Sequence, residues 1–419
     1  MHALKENLSI EPGVGTWGAC PAAPIYFIPV EFIPAPFPIQ GTVRYRLRVS
    51  AGGSRLRLRL SNEAGDRALM IGGASIGLAC ETTACIQKET VIRLSFSRLP
   101  TARILPGAAV VSDPIDLQVA HHGDLIVSLY LPQPFMAAQG GDTHKAALSA
   151  GQDSVMSIDW PDAVSINVRP IVSAVTVVPY RPTRTVVTLG DSITDGSTNA
   201  TGCMPFAFRG WPDILAQRLN ERAATDEKRV VPPGKEVTAY SVVNAGIGGN
   251  CLLKNFIGIH ALARLDRDVF AIPGVSHLIV LEGLNDIGIG GRTIDGLTYP
   301  NVSADELIGG YRQVIARAHE QGIKVIGATL PPFRDAFYFL EEKEVVRQAV
   351  NDWIRNAAAF DGVVDFDRVL HEPADPSRLR ADFDTGDHLH PNMTAFKAMG
   401  NAIDLNLFAS FAPAVESFK

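Results

Sequence analysis

Two patterns of apolar and polar residues divide the chain. Through the first 180 or so residues, apolar positions alternate with polar ones in short runs: TVRYRLRVS, SRLRLRLSN, ETVIRLSFS and GDLIVSLYLP. Alternation with period two sends one face of each strand into a core and the other toward solvent. Gly52-Gly53 and other Gly- and Pro-containing stretches read as turns, and no long amphipathic helix interrupts the series. These runs predict a jelly-roll-like sandwich of antiparallel strands.

After Tyr180-Arg181-Pro182 the pattern changes. The runs TVVTLG, YSVVNAG, HLIVLEG, KVIGATL and VVDF are largely apolar, and helices are predicted near residues 211–223, 304–321, 341–360 and 391–408. Strands alternating with helices imply a parallel sheet with crossover helices covering both faces. The expected division is an antiparallel β-sandwich unit over residues 1–180 and an α/β unit over residues 181–419. A length of 419 residues also fits two cores better than one.

Composition narrows the partners. With 46% hydrophobic residues, 20% charged residues and a net charge of −6, the chain has the profile of a globular protein. It carries no basic block, which disfavours nucleic acid. No run reaches the roughly 18 apolar residues that span a bilayer. The most apolar segment, residues 24–39, is broken by proline, carries Glu31 and reads as an extended, packed arm. The opening MHALKENLSIEPG lacks the apolar core of a secretion signal, which fits a cytoplasmic protein or one whose signal has been removed. Five cysteines form no zinc-like pairs. Cys80 and Cys85 are near enough in sequence to bridge, and an unpaired buried pair is the alternative.

In an open parallel sheet, ligands bind at the carboxyl ends of the strands. The first apolar run ends in Gly190-Asp191-Ser192-Ile193-Thr194-Asp195-Gly196, the second in Asn244-Ala245-Gly246-Ile247-Gly248-Gly249-Asn250, and the third in Glu282-Gly283-Leu284-Asn285-Asp286. Asp387-His388-Leu389-His390-Pro391 precedes the last helix. Each also has a plain structural reading. A serine after a strand commonly caps a helix, a glycine-rich turn permits positive φ, Asn-Asp suits a turn, and Asp387 and His390 suit a surface ion pair.

Together these elements supply the parts of one machine. Acyl transfer needs an activated nucleophile, a base held in one tautomer, and donors aimed at a developing oxyanion. Ser192 offers the nucleophile, His390 the base, and Asp387, three residues earlier, a carboxylate for the imidazole. Gly249 offers a backbone N–H and Asn285 an amide. His388 is the rival base, but adjacent side chains on extended backbone diverge, so His390 is the better partner for Asp387. The other histidines, His121, His122 and His144 among them, lie in the β half or lack a placed carboxylate.

These blocks resemble those of the SGNH, or GDSL, hydrolases, which are named for a Ser, a Gly, an Asn and a His in four blocks. GDSIT, NAGIGGN, GLND and DHLHP match them in order across about 200 residues. The resemblance implies a flavodoxin-like three-layer α/β hydrolase and a serine esterase working through an acyl-enzyme. It implies Ser192 as nucleophile, His390 as base and Asp387 as its orienter, with an oxyanion hole from Ser192, Gly249 and Asn285. No cofactor follows from it. The stretches RLRLSNEAG, VSDPIDL and LIVSLYLP also resemble a β domain that precedes the hydrolase in some bacterial members.

Asp191, Asn250, Phe333, Arg334, Phe337 and Tyr338 are further candidate substrate contacts, the last four from PPFRDAFYFLEE after the fourth strand. Those aromatics equally suit anchoring of the loop, and Trp211 suits packing. Asp191, Asp195, Asp387, His388 and His390 are candidate metal ligands, but no helix-borne histidine pair or thiolate cluster accompanies them, so a metal-free site is expected. Gly246 to Asn250 lacks the Lys-Ser/Thr of a phosphate loop. Cys203 and Cys251 are candidates for a bridge near the site. Three functions stay open: an esterase acting on short acyl chains of small-molecule or glycan esters, a lipase or lysophospholipase, and an inert glycan-binding protein. Oligomeric state stays open as well.

Overall fold

The computed structural model describes residues 13–26, 36–81, 84–198, 207–229, 235–409 and 411–413. The arm over residues 24–39 therefore falls partly outside the described residues, and Cys203 lies wholly outside them. The C-terminal part is an α/β domain built on a five-stranded parallel sheet. Its order is Ala239–Gly246, Thr183–Gly190, Val275–Leu281, Lys324–Ala328 and Gly362–Val364. The chain first moves to one side of Thr183–Gly190 and then crosses to the other, so the strand order reverses there. Such a reversal leaves a crevice beyond the strand ends. Gly190 is in register with Gly246 on one side and Leu281 on the other, so three loops leave the sheet at one level.

Helix Trp211–Asp226 turns Trp211, Leu215, Ala216, Leu219 and Ala223 inward, an apolar stripe at helical spacing. Ala304–Glu320 starts from a capping box between Ser303 and Glu306. Two helices are shorter than their sequence patterns suggest. Glu341–Asn356 stops before Ala358, which has a φ of +48°. The expected 391–408 helix is Met393–Ala402, capped by Asn392, then extended Ile403 and a 3-10 turn, Leu405–Leu407. Asp404 caps that second turn by accepting the Asn406 N–H, which gives the backbone an alternative to continued helix. No described helix is long and apolar enough to cross a membrane.

The N-terminal part is antiparallel β structure in several sheets. One large sheet orders Val14–Gly18, Val172–Pro179, Gly53–Ser61 and Ala109–Val111, with Ile115–Val119 also on Gly53–Ser61. The other orders Val164–Asn167, Lys145–Ala150, Pro38–Arg48, Asp124–Met136, Gly73–Leu78 and Ile92–Arg93. Val43, Tyr45 and Leu47 from one sheet share a core with Leu56, Leu58 and Leu60 from the other. Gly52-Gly53 therefore carries the chain between sheets; it closes no hairpin. The ETVIRLSFS run forms a strand at Ile92–Arg93, after a 3-10 turn at Lys88–Thr90, and a lone bridge from Phe96 to Leu99. Leu94 and Phe96 still turn inward, and Ser97 and Arg98 adopt positive φ in the tight turn that brings Phe96 back onto Leu99. Cys80 and Cys85 form a disulfide.

The antiparallel part covers the edge strand of the parallel sheet. On that strand Val242 N–H donates to the Ser50 hydroxyl, and beside it Gly15 N–H donates to Pro273 O in the turn before Val275–Leu281. Pairing an edge in this way satisfies backbone groups that would otherwise stay open.

Candidate active site

Ser192 sits just beyond Thr183–Gly190, at the start of a four-residue helix, Ser192–Asp195. Asp191 caps that helix by accepting the Ile193 N–H at 3.0 Å. The helix folds back over the neighbouring strand end so closely that a Cβ on Gly246 would lie 2.3 Å from Asp195 N. Glycine is required there by space.

His390 Nε2 lies 2.9 Å from Ser192 Oγ, and His390 Nδ1 lies 2.6 Å from Asp387 Oδ2. The other Asp387 oxygen accepts the Thr385 hydroxyl and the Leu389 and His390 N–H groups. Burial alone would raise this carboxyl, but the hydrogen bonds and charge of His390 and the backbone N–H groups hold it well below the usual carboxylate range. The rival His388 is about half exposed and pairs with Asp384 at 2.6 Å. A φ of +60° at His388 turns the chain between the two pairs.

Gly249 has a φ of +71°, and a Cβ there would meet Ile257 at 2.4 Å. The Asn285 amide donates to Asn250 O at 2.9 Å and to Asp191 Oδ2 at 3.4 Å. Burial pushes Asp191 up to about 6, partly offset by the Ile193 N–H and by His390. Glu282 behind it is fully buried, with neither carboxylate oxygen hydrogen-bonded among the described residues. Burial and the nearby Asp191 charge push Glu282 well above its ordinary range.

The other expected contacts divide. Tyr338 is buried, and its hydroxyl reaches Asn285 Oδ1 at 3.5 Å. Phe337 packs on Tyr338 at 4.3 Å, is 62% exposed and has the Arg292 guanidinium over its ring. Phe333 is a core residue packed on Phe339, and Asn250 spends its side chain on Ile257 O, Ile259 O and Arg264. Neither side chain has surface to offer a ligand in this arrangement. Arg334 is engaged by Ser377 and Glu341. Trp211 packs on Phe366, and Cys251 is a free, buried thiol.

His144, set aside because it lies in the β half, does have a carboxylate partner. Its Nε2 lies 3.2 Å from Asp195, which also pairs with Arg169 at 2.6 Å and with Arg209. Asp195 is thus part of a buried ion cluster, and its partners His144 and Arg169 come from the antiparallel part. Sequence reading missed these contacts, because nothing local to residues 144 or 169 points to a turn after Gly190. A cavity of about 550 Å³ lies between the antiparallel part and strand Ala239–Gly246, lined in part by Arg55, Arg57, Arg59 and Arg267. Ser192 and His390 are not among its walls.

Distant solved structures are similar to part of the chain. An acetyl xylan esterase from Geobacillus stearothermophilus is 20% identical, with 54% of this chain and 94% of that one covered and a TM-score of 0.39. An alpha/beta hydrolase enzyme from the metagenome of Lake Arreo, Spain, is 20% identical, covering 54% and 96%, with a TM-score of 0.38. A GDSL-like lipase from Bacteroides thetaiotaomicron is 18% identical, covering 54% and 87%, with a TM-score of 0.34. No curated protein matches the chain. The model of the GDSL-like lipase/acylhydrolase family matches residues 188–398, half of the chain. The chain belongs to that family of esterase-type acylhydrolases.

Proposed function

We propose that this protein is a serine esterase that hydrolyses short-chain carboxylic esters of small alcohols or sugars through an acyl-enzyme. Residues 181–419 form its hydrolytic unit, and residues 1–180 are accessory. The observation that carries the reading is the hydrogen-bonded line from Ser192 Oγ to His390 at 2.9 Å and on to Asp387 at 2.6 Å. It has the geometry of a nucleophile, a base and a carboxylate that orients the base.

Ser192 Oγ attacks the ester carbonyl while His390 Nε2 accepts its proton. Asp387 holds the opposite ring nitrogen and stabilises the imidazolium. The oxyanion takes hydrogen bonds from the Ser192 and Gly249 backbone N–H groups and from the Asn285 amide. Asn285 can turn one N–H to it by giving up the long 3.4 Å bond to Asp191. Collapse expels the alcohol, protonated by His390. Water then attacks the acyl-enzyme, giving its proton to the same nitrogen; collapse of this second adduct breaks the bond to Ser192 Oγ, which takes the proton back from His390, and the acid leaves. The exposed ring of Phe337, seated on Tyr338 next to Asn285, supports a shallow, aromatic-edged site. No cofactor takes part in these steps.

A fluorophosphonate probe tests the chemistry. It should label the intact protein at Ser192, and Ser192→Ala should abolish both labelling and turnover. A folded protein without an adduct at that residue would sink the reading. Against p-nitrophenyl esters, acetate should be turned over faster than octanoate or palmitate. The reverse order would make it a lipolytic acyl hydrolase.

A further inference from the structure

The helix that carries Ser192 is too short to hold itself. Four residues make barely one turn, and isolated turns of this length do not persist in water. Its position must come from tertiary contacts. The α/β part supplies two, from the Asn244 side-chain amide to Thr194 O at 2.6 Å and from the Arg209 guanidinium to Asp195. Others come from across the boundary between the two parts.

Asp142 reaches over from the antiparallel part. Its carboxylate accepts the Ser197 hydroxyl at 2.6 Å, the Thr198 N–H at 2.7 Å and the Thr198 hydroxyl at 3.0 Å. Arg169 donates to Asp195 Oδ2 at 2.6 Å, and His144 lies on the other oxygen beside Arg209. Asp195 and Arg169 are both buried. Burial alone would raise the Asp195 carboxyl, but Arg169, His144 and Arg209 hold it far below its ordinary range. The reaching residues are themselves fixed. Arg169 N–H donates to Ala138 O, His144 N–H to Gly140 O, and the Arg169 guanidinium to Cys20 O at 3.2 Å. The three residues gripped, Asp195, Ser197 and Thr198, follow Ser192 within two turns of chain.

We infer that the antiparallel part is a built-in clamp on the nucleophile turn, with Asp142 and Arg169 as positioning residues for Ser192. The inference rests on the esterase reading above. Neither residue needs to touch substrate. Their effect is to hold Ser192 Oγ against His390 Nε2, where a displacement of about 1 Å can cost a hundredfold in rate. A clamp of this kind acts on kcat and leaves ground-state binding of the ester nearly unchanged.

The test uses the full chain with Asp142→Asn, Arg169→Met and Arg169→Lys, each followed by thermal melting, p-nitrophenyl acetate kinetics and the rate of fluorophosphonate labelling at Ser192. Asp142→Asn and Arg169→Met should lower kcat and labelling by about tenfold or more, with KM moved less than about twofold, and Arg169→Lys should restore part of the loss. Asp142 is only half-buried, so its variant decides the matter if Arg169→Met does not fold. Labelling and kcat within about twofold of the parent in Asp142→Asn, at an unchanged melting temperature, would reduce these contacts to simple glue between the parts. A parent protein that takes no label would overturn the esterase reading itself. Equal labelling of parent and variants would overturn only the clamp.

Discussion

Strand Ala239–Gly246 is buried at every position, whereas Gly53–Ser61 sets buried Leu56, Leu58 and Leu60 between half-exposed Arg55, Arg57 and Arg59. The first lies at the covered edge of its sheet and the second inside its own, and they leave different room for chemistry. A strand covered on both faces has nowhere to put a working polar side chain except beyond its end. The α/β part accordingly concentrates Ser192, Gly249 and Asn285 in the short helices and the turn that leave one level of the sheet. The antiparallel part can carry charge all along its strands. Even so, what it brings to the turn after Ser192 comes from the connection around Asp142 and His144 and from Arg169.

If that contrast is sound, substitutions in the two parts should separate rate from stability. The largest effect belongs to Asp387→Asn, which should lower kcat by about 10⁴-fold by releasing the His390 tautomer, with the melting temperature little changed. A loss of only a few-fold would remove Asp387 from the machinery. Asn285→Ala should cost roughly a hundredfold or more in kcat, about 2.7–4 kcal/mol of transition-state stabilisation, as read from steady-state kinetics. Leu129→Ala, at a fully buried position of Asp124–Met136, should do the opposite. It should destabilise the fold by about 2–5 kcal/mol in denaturant titration while the folded fraction keeps its kcat.

The smallest expected effect is a pH dependence at Asp191. Burial lifts its folded pKa to about 6, above an ordinary value of 3.8. The folded protein therefore keeps a proton that the unfolded chain releases between those values. Its contribution to stability is present at low pH, drains away as pH rises through this window, and stays lost above about 6. Asp191→Asn abolishes the titration. Its stability relative to the parent should thus rise between about pH 4 and 6, by on the order of 1–3 kcal/mol, and level off at higher pH. Paired denaturant titrations across that range check this, and a constant difference would contradict it.

Much of this architecture can be read from the chain because its signals are local. A run such as TVVTLG followed by GDSIT states a strand and the turn beyond it within a dozen residues. The same holds for the inward leucines of SRLRLRLSN. Reading failed where a local signal had competition. The ETVIRLSFS strand ends at Arg93, ahead of the tight turn that Ser97 and Arg98 make with positive φ, and the Asp404 cap split the last helix. Asn250 and Phe333 stood in suggestive positions, but position in a motif does not set the direction of a side chain, and both turn into the protein.

The amino-acid order by itself determined the two kinds of sheet, the register of their inward faces and the strand ends from which the motif blocks emerge, because periodicity and turn chemistry act over a few residues. Only the folded molecule decided which distant groups meet. The grip of Arg169 and His144 on Asp195 joins residues 26 and 51 positions apart, and Asp142 reaches Ser197 across 55. Such contacts follow from how the antiparallel sheets dock on the edge of the parallel one. That docking is set by packing and by the requirement that a buried charge find a partner, neither of which leaves a mark at any single stretch of the chain.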